Sequence, residues 1–197
     1  MFDSGITVKQ IISQIRDEAD IAYPIGDEVY IRWINSIEQL LYSEIIQQQC
    51  EYKENIMMPK RSITLPKSDI SGAEPFRFED IVTVYANDVQ LIKTNLASGV
   101  IFENSYFNNN GNLEFNLMES DADVRVIYNI RPKIKTDDTQ NIMLPIEFID
   151  LVTSKLRGEA YKIANEDSLA AKWINDYNVL LETFKNWVAQ RQASFGI

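Results

Sequence analysis

Side chains that commonly carry out acid–base or nucleophilic chemistry are scarce in this sequence. It contains no histidine, so the commonest general base and the commonest metal ligand of proteins are both absent. Neither a Ser-His-Asp nor a Cys-His arrangement can therefore form within one chain. The single cysteine, Cys50, cannot form an internal disulfide, and we interpret it as a small packing residue at the end of a helix. The sequence predicts no nucleophilic site.

Carboxylates are the remaining groups with catalytic or cation-binding chemistry. Glu119, Asp121 and Asp123 alternate along one connection, as in part of a calcium loop, but the glycine and closing glutamate of that motif are missing. The alternative is a solvated turn. The seven glycines are not gathered into a phosphate-binding loop. We predict no catalytic residue, no metal ligand, no cofactor and no enzymatic activity, with a carboxylate-based enzyme as the alternative.

The charge balance bears on nucleic-acid partners. There are 19 Lys and Arg residues against 29 Asp and Glu residues, a net charge of −10. Such a chain is repelled by phosphates unless its basic residues cluster. Arg131, Lys133 and Lys135 alternate along one segment, which is typical of a solvated strand or linker face. We expect no sequence-specific DNA binding, whereas an acidic wall would suit a channel through which DNA slides.

Length and composition are those of an ordinary folded protein. The 197 residues are 45% apolar and 24% charged, which fits one compact body or one body with an insert. One cysteine suits an intracellular origin. The sequence shows neither a signal-peptide pattern at its start nor 18 uninterrupted apolar residues, so we expect no leader and no membrane span.

Two helices are predicted at the start of the chain. Thr7 and Gln10 match a capping box, in which the threonine side chain accepts from an early amide and the glutamine reaches back. Apolar residues then recur at helical spacing: Val8, Ile11, Ile12, Ile15 and Ala19. A Tyr-Pro-Ile-Gly stretch breaks this helix, and Asp27 is expected to cap a second helix reaching about Gln49. We assign residues 1–55 to an N-terminal helical hairpin.

Between residues 56 and 140 the apolar period changes to that of strands. Five or six strands are predicted, mostly joined as antiparallel hairpins. Asn87-Asp88 is a plausible tight turn, and an Asn-Gly pair supplies the positive φ angles that a primed turn needs. The second turn lies in an Asn-rich stretch, which is either a solvated loop or a projecting docking tip. That tip comprises Asn108, Asn109, Asn110, Gly111 and Asn112.

Residues 141–197 are predicted to form a C-terminal helical hairpin with a short tail. Pro145 is placed at the first position of the third helix, and Asn165 begins the turn to the fourth. The apolar and aromatic residues of these helices are read as core. An alternative is that some aromatic and apolar residues near the C-terminus form an exposed anchor for a neighbouring subunit. These are Phe184, Trp187, Phe195 and Ile197.

The predicted fold class is thus α+β: two N-terminal and two C-terminal helices forming a bundle, with an inserted, mostly antiparallel β-domain. This order resembles the head-to-tail adaptor proteins of tailed bacteriophages, in particular the tail tubular protein A type of podoviruses. Three stretches carry the resemblance. They are the opening helices (residues 6–20 and 27–45), the VTVYANDVQLI strand pair (82–92) and the closing Leu-Pro helical hairpin (144–192).

The resemblance implies a structural role in the phage neck. The chain would form a homo-oligomeric, dodecameric ring beneath the portal protein, with its β-domain and hairpin tip toward tail or nozzle proteins. The ring would extend the DNA channel for genome retention and ejection. It would be found in the virion neck or tail after assembly in the bacterial host cytoplasm, without a membrane. The alternative is another virion assembly or accessory binding protein of the tail or capsid.

Overall fold

The computed structural model describes residues 2–18, 24–57, 61–67, 73–95 and 101–195. They form a mixed α+β protein, so the predicted class is confirmed. The helices are α1 (Val8–Glu18), α2 (Asp27–Leu41), α3 (Ile149–Ile163) and α4 (Asp167–Phe195). The strands are β1 (Gln49–Met57), β2 (Ser62–Thr64), β3 (Ile81–Ala86), β4 (Val89–Gln90), β5 (Ile92–Lys93), β6 (Ser105–Asn109), β7 (Asn112–Asn116) and β8 (Asp121–Asn129).

The chain separates into two compact units. A helical unit comprises residues 1–46 together with 134–197, and a β unit comprises residues 47–133. The helical unit therefore draws on both ends of the sequence. It holds 17 of the acidic and 10 of the basic residues, which places a net −7 of the total −10 on the helices and their connections.

One apolar cluster draws residues from all four helices of the helical unit. The stripe predicted for α1 is buried at Val8, Ile11, Ile12 and Ile15. The other helices contribute, among others, Ile34, Leu41, Leu151, Leu156 and Phe184, each fully shielded from solvent. Burying a side chain of this size stabilises a fold by about 1.5–3 kcal/mol. Ala19, the last residue of the predicted stripe, lies outside the described residues.

The start of α1 has the predicted capping box. The Gln10 amide donates to Thr7 Oγ1 at 3.3 Å, and the Thr7 amide donates to Gln10 Oε1 at 2.8 Å. At α2 the prediction was wrong by one position, because Gly26 is the capping residue and Asp27 lies in the first turn. A carboxylate in the first turn still interacts favourably with the positive end of the helix dipole.

The second helix ends earlier than predicted. After Leu41 it continues only as a π-helical segment, Tyr42–Ile46, and strand β1 begins at Gln49. Cys50 therefore lies in a strand and not at a helix end. The prediction was wrong because most of β1 is polar: Ile56 is its buried residue, and Cys50 and Tyr52 are only half-buried. A strand with so few apolar residues gives a weak alternating signal in the sequence.

Strands of the β unit form two four-stranded sheets. Their orders are β1-β8-β3-β4 and β2-β7-β6-β5. Pairing is antiparallel except between β5 and β6, which run parallel. Along β8, alternate residues Val124, Val126 and Tyr128 are buried, as the alternation predicts. Tyr128 stacks on Phe76 with ring centroids 4.2 Å apart.

The third helix also begins later than predicted. Pro145 precedes a short 3-10 turn, Ile146–Phe148, and the α-helix starts at Ile149. The turn between α3 and α4 passes through Asn165, whose φ of 60° is positive. Asparagine tolerates this left-handed conformation better than most residues. Within the described residues, no helix is both long enough and apolar enough to cross a membrane.

Candidate interaction surfaces

The hairpin tip between β6 and β7 has the predicted turn chemistry. Asn110 and Gly111 have φ angles of 49° and 84°, as a primed two-residue turn requires. The Gly111 amide donates to Asn108 Oδ1 at 3.1 Å, and the Gly111 carbonyl accepts from the Leu65 amide at 2.8 Å. Asn108, Asn110 and Gly111 are exposed, whereas Asn109 and Asn112 are half-buried. The tip is thus a polar surface held by its own turn and by the residue that follows β2.

The aromatic residues predicted as a C-terminal anchor occupy different environments. Phe184 is 0% exposed and lies 4.8 Å from Phe148, centroid to centroid. The prediction that Phe184 forms part of an exposed anchor is therefore wrong, because its side chain fills the core of the helical unit. Trp187 is half-buried, with Arg191 at 4.9 Å over its ring. The Phe2 ring packs against Trp187 with ring centroids 5.7 Å apart.

The other two members of that predicted anchor, Phe195 and Ile197, lie partly or wholly outside the described residues. The backbone of Phe195 ends helix α4, but its side chain lies outside the described part of the structure. Ile197 lies outside the described residues altogether. Trp187 is thus the member whose side chain is both described and partly accessible.

The acidic residues predicted to lie along one connection are divided by the start of β8: Glu119 precedes the strand, whereas Asp121 and Asp123 lie within it and pair with β1, so the prediction of a single connection was wrong. Asn87 accepts from the Asp123 amide at 2.9 Å and donates to the Glu119 carboxylate. Asn55 donates to Asp123 Oδ1 at 2.7 Å. Neighbouring amides therefore occupy two of the three carboxylates. In the described part of the chain, no group of three or more acidic or cysteine side chains is arranged to hold a metal ion.

A buried ion pair lies where the chain re-enters the helical unit. Lys135 Nζ donates to Glu38 Oε2, and their side chains are 2% and 1% exposed. Glu38 Oε1 also accepts from the Met143 amide at 2.6 Å. The Asn35 side chain makes two hydrogen bonds with the Lys135 backbone, donating to its carbonyl at 2.9 Å and accepting from its amide at 2.8 Å. The prediction that Lys135 lies on a solvated face was wrong.

The electrostatics of this pair follow from its burial. Removal of the Glu38 carboxyl from water raises its pKa, and Lys135 opposes that shift by its charge and hydrogen bond. Tyr42 lies nearby, where burial raises the pKa of its hydroxyl to about 12. That hydroxyl accepts from the Phe2 amide at 3.2 Å. The pair therefore ties the connection after the β unit to helix α2.

The α3–α4 pair carries two unlike surfaces. The first is a groove of ≈ 430 Å³ whose wall includes Asp150, Asp176 and Val179. We name these three residues the acidic edge. Neither aspartate makes an ion pair with any described residue, and Val179 is 61% exposed. Arg157 also lines the groove, where it pairs with Glu18 and lies 4.5 Å over the Trp173 ring.

The second surface of the pair is rich in lysine. It comprises Lys155, Lys162, Lys185 and Ile163, which we name the lysine edge. Lys155 and Lys162 both pair with Glu159, at 2.9 and 3.3 Å, and Lys185 pairs with Glu182 at 2.7 Å. Partial burial opposes ionisation of Glu159, but hydrogen bonds from the two lysines outweigh it and lower its pKa. Three lysines thus share two carboxylates, and Ile163 beside them is 48% exposed.

Sequence inspection found neither the buried ion pair nor the two edges. Glu38 and Lys135 are 97 positions apart in the sequence, so nothing local indicates their contact. The lysine edge did have a signal, since Lys155, Glu159 and Lys162 follow the i, i+4, i+7 spacing of one helix face. No protein-family model matches the chain, and no curated protein matches it either. The likeness to phage adaptors stays a prediction.

Proposed function

We propose that this chain is a structural ring subunit of a tailed-phage neck, joining portal to tail and extending the DNA channel. The observation that carries the proposal is the division of the chain. Both ends contribute helices to one unit, and a contiguous β unit, residues 47–133, is inserted between them. A helical body interrupted in this way is the arrangement of the adaptor proteins that the sequence resembles. The proposed bundle would consist of α1 to α4.

The charge distribution supports the same role. The net charge of −7 on the helical unit repels DNA phosphates, and a wall with this charge would let DNA pass without adhering. The partners proposed are further copies of the chain, twelve in all, the portal protein on one side and tail or nozzle proteins on the other. The exposed hairpin tip at Asn110 is the surface proposed to face the tail. No catalytic activity or cofactor is part of this role.

The test is assembly with a portal. Purified chain is mixed with the portal ring of the same virus, and the complex is examined by native mass spectrometry and electron microscopy. A ring of twelve chains on the portal is expected. A chain that remains monomeric and leaves the portal unchanged would refute the role. The genes beside its own give an independent check, because portal and tail genes are expected there.

A second candidate is another virion assembly or accessory binding protein. The exposed polar tip of the β6–β7 hairpin favours some docking function even without a portal. Labelling the chain inside a virion separates the two candidates. Label confined to the neck supports the ring subunit, whereas label along the tail or over the capsid supports the accessory protein.

A further inference from the structure

We propose that the acidic edge of one copy of the chain binds the lysine edge of the next copy. The proposal rests on the ring function proposed above and names the surfaces by which neighbouring subunits would meet. The occupant of each edge is a second copy of this chain, because the chain itself carries both halves of a complementary pair. Both edges belong to α3 and α4 within the helical unit.

The first step is that the edges face in different directions. Five residues separate Asp150 from Lys155 on α3, which is about 140° around a helix of 3.6 residues per turn. Nine residues separate Asp176 from Lys185 on α4, which is two and a half turns, or about 180°. The two aspartates lie together on one groove wall, so the lysines of both helices lie on the other side of the pair.

The second step is that the charges of each edge are unbalanced in opposite senses. Asp150 and Asp176 have no cationic partner among the described residues. On the lysine edge, Lys162 and Lys185 are 48% and 45% exposed, and Lys162 shares Glu159 with a second lysine. A negative edge on one copy therefore faces a positive edge on the next, an arrangement that sets orientation and register.

The third step is that each edge has an apolar residue that the monomer leaves in water. Val179 on the acidic edge is 61% exposed, and Ile163 on the lysine edge is 48% exposed. Removal of both from water would add an attraction that salt does not screen. Two different surfaces in contact make a head-to-tail interface. Such an interface closes into a ring when a whole number of equal rotations from one subunit to the next adds up to a full turn.

The test uses one variant of each edge. The acidic-edge variant is Asp150→Asn with Asp176→Asn, which removes both charges without creating a positive edge, and the lysine-edge variant is Lys162→Glu with Lys185→Glu. The control is Lys9→Glu with Arg32→Glu, which reverses two exposed charges on α1 and α2 outside both edges. Circular dichroism checks that each variant is folded. Analytical ultracentrifugation and native mass spectrometry then measure association between copies.

Each edge variant alone is expected to associate at least tenfold more weakly than the unchanged chain, whereas the control assembles normally. The mixture gives the sharper result. Each variant keeps one working edge, so an equimolar mixture should stop at a heterodimer of twice 22.7 kDa. The second interface of that pair joins two altered edges and cannot form. Raising the salt concentration should weaken assembly of the unchanged chain, since exposed charges are screened.

The remaining outcomes separate this proposal from the ring function. Rings that persist in both edge variants refute the interface and leave the ring function standing. Heterodimers in the mixture, with open filaments and no portal binding by the unchanged chain, support the interface and refute the ring function. Loss of portal binding in the acidic-edge variant alone would assign that edge to the portal and refute pairing between copies. A chain monomeric under all conditions refutes both.

Discussion

Replacement of Lys135 by methionine removes the positive charge that faces Glu38 inside the helical unit. Methionine is close to the lysine stem in volume, and the bonds from Asn35 to the backbone of residue 135 are retained. What changes is that a carboxylate 1% exposed loses its counter-charge. Removing one partner of a buried ion pair costs about 3–5 kcal/mol, a large part of a typical folding free energy of about 5–15 kcal/mol.

The cost should depend on pH in a defined direction. Burial raises the pKa of Glu38, and without Lys135 to oppose it that pKa rises further. A group whose pKa is raised by folding stabilises the fold below its unfolded pKa, 4.5 for this carboxyl, and loses that contribution as pH rises through the folded value. The deficit of Lys135→Met is therefore greatest at neutral pH and shrinks as the solution approaches pH 4.5 and Glu38 becomes protonated.

Urea unfolding of the two proteins between pH 4 and pH 8, followed by circular dichroism, measures this deficit. The matched control is Lys162→Met, since Lys162 is 48% exposed and its pair with Glu159 should contribute at most about 0.5 kcal/mol. A double variant, Glu38→Gln with Lys135→Met, should regain most of the loss because glutamine still accepts from the Met143 amide. A Lys135→Met deficit below about 1 kcal/mol at pH 7, or one that does not shrink in acid, would refute the reasoning.

Three further changes test other contacts by the same unfolding measurement. Phe184→Ala empties a fully buried site and should cost about 3–5 kcal/mol, whereas a loss under about 1 kcal/mol would restore an exposed role for this ring. Gly111→Ala places a side chain at a φ of 84° and should cost about 1 kcal/mol or more, while Asn108→Asp, which keeps the turn glycine and the oxygen that accepts from its amide, serves as its comparison. Thr7→Ala removes the capping oxygen of α1 and should cost about 0.5–2 kcal/mol, with no effect expected from exposed Ser13→Ala.

Local patterns in the sequence were sufficient for part of the fold. The Thr7 cap needs only a partner three residues away, and the Asn110-Gly111 turn needs only two residues that tolerate positive φ. The stripe of α1 and the alternation of β8 are likewise short-range patterns that follow directly from helix and strand periods. Interactions of this range are readable without knowing the rest of the chain.

Long-range environment explains what was missed. Residues 49–55 of β1 fall in the segment predicted as a helical hairpin because most of them are polar, and they form a strand because all nine residues of β1 pair with β8. The sequence predicts a solvated Lys135 because its neighbours in sequence give no indication of Glu38. Both core packing and an exposed anchor are open to Phe184 from the sequence, because a helix stripe does not reveal which of its residues are covered, and the structure buries this ring. In each case the deciding partner is a distant part of the chain.

The pairing of β1 with β8 affects the folding of the helical unit, whose helices come from both ends of the sequence. Gln49 lies opposite Asn129, and the Ile130 amide donates to the Gln48 carbonyl at 2.9 Å, so the β unit begins and ends at the same place. Once the β unit has folded, its first and last residues are as close together as the two ends of a short loop. The entropy of closing a long chain between α2 and α3 is then already compensated within the insert. During synthesis on the ribosome, all residues of the β unit emerge before those of α3 and α4. A folded β unit then reduces the distance over which α3 and α4 must find α1 and α2.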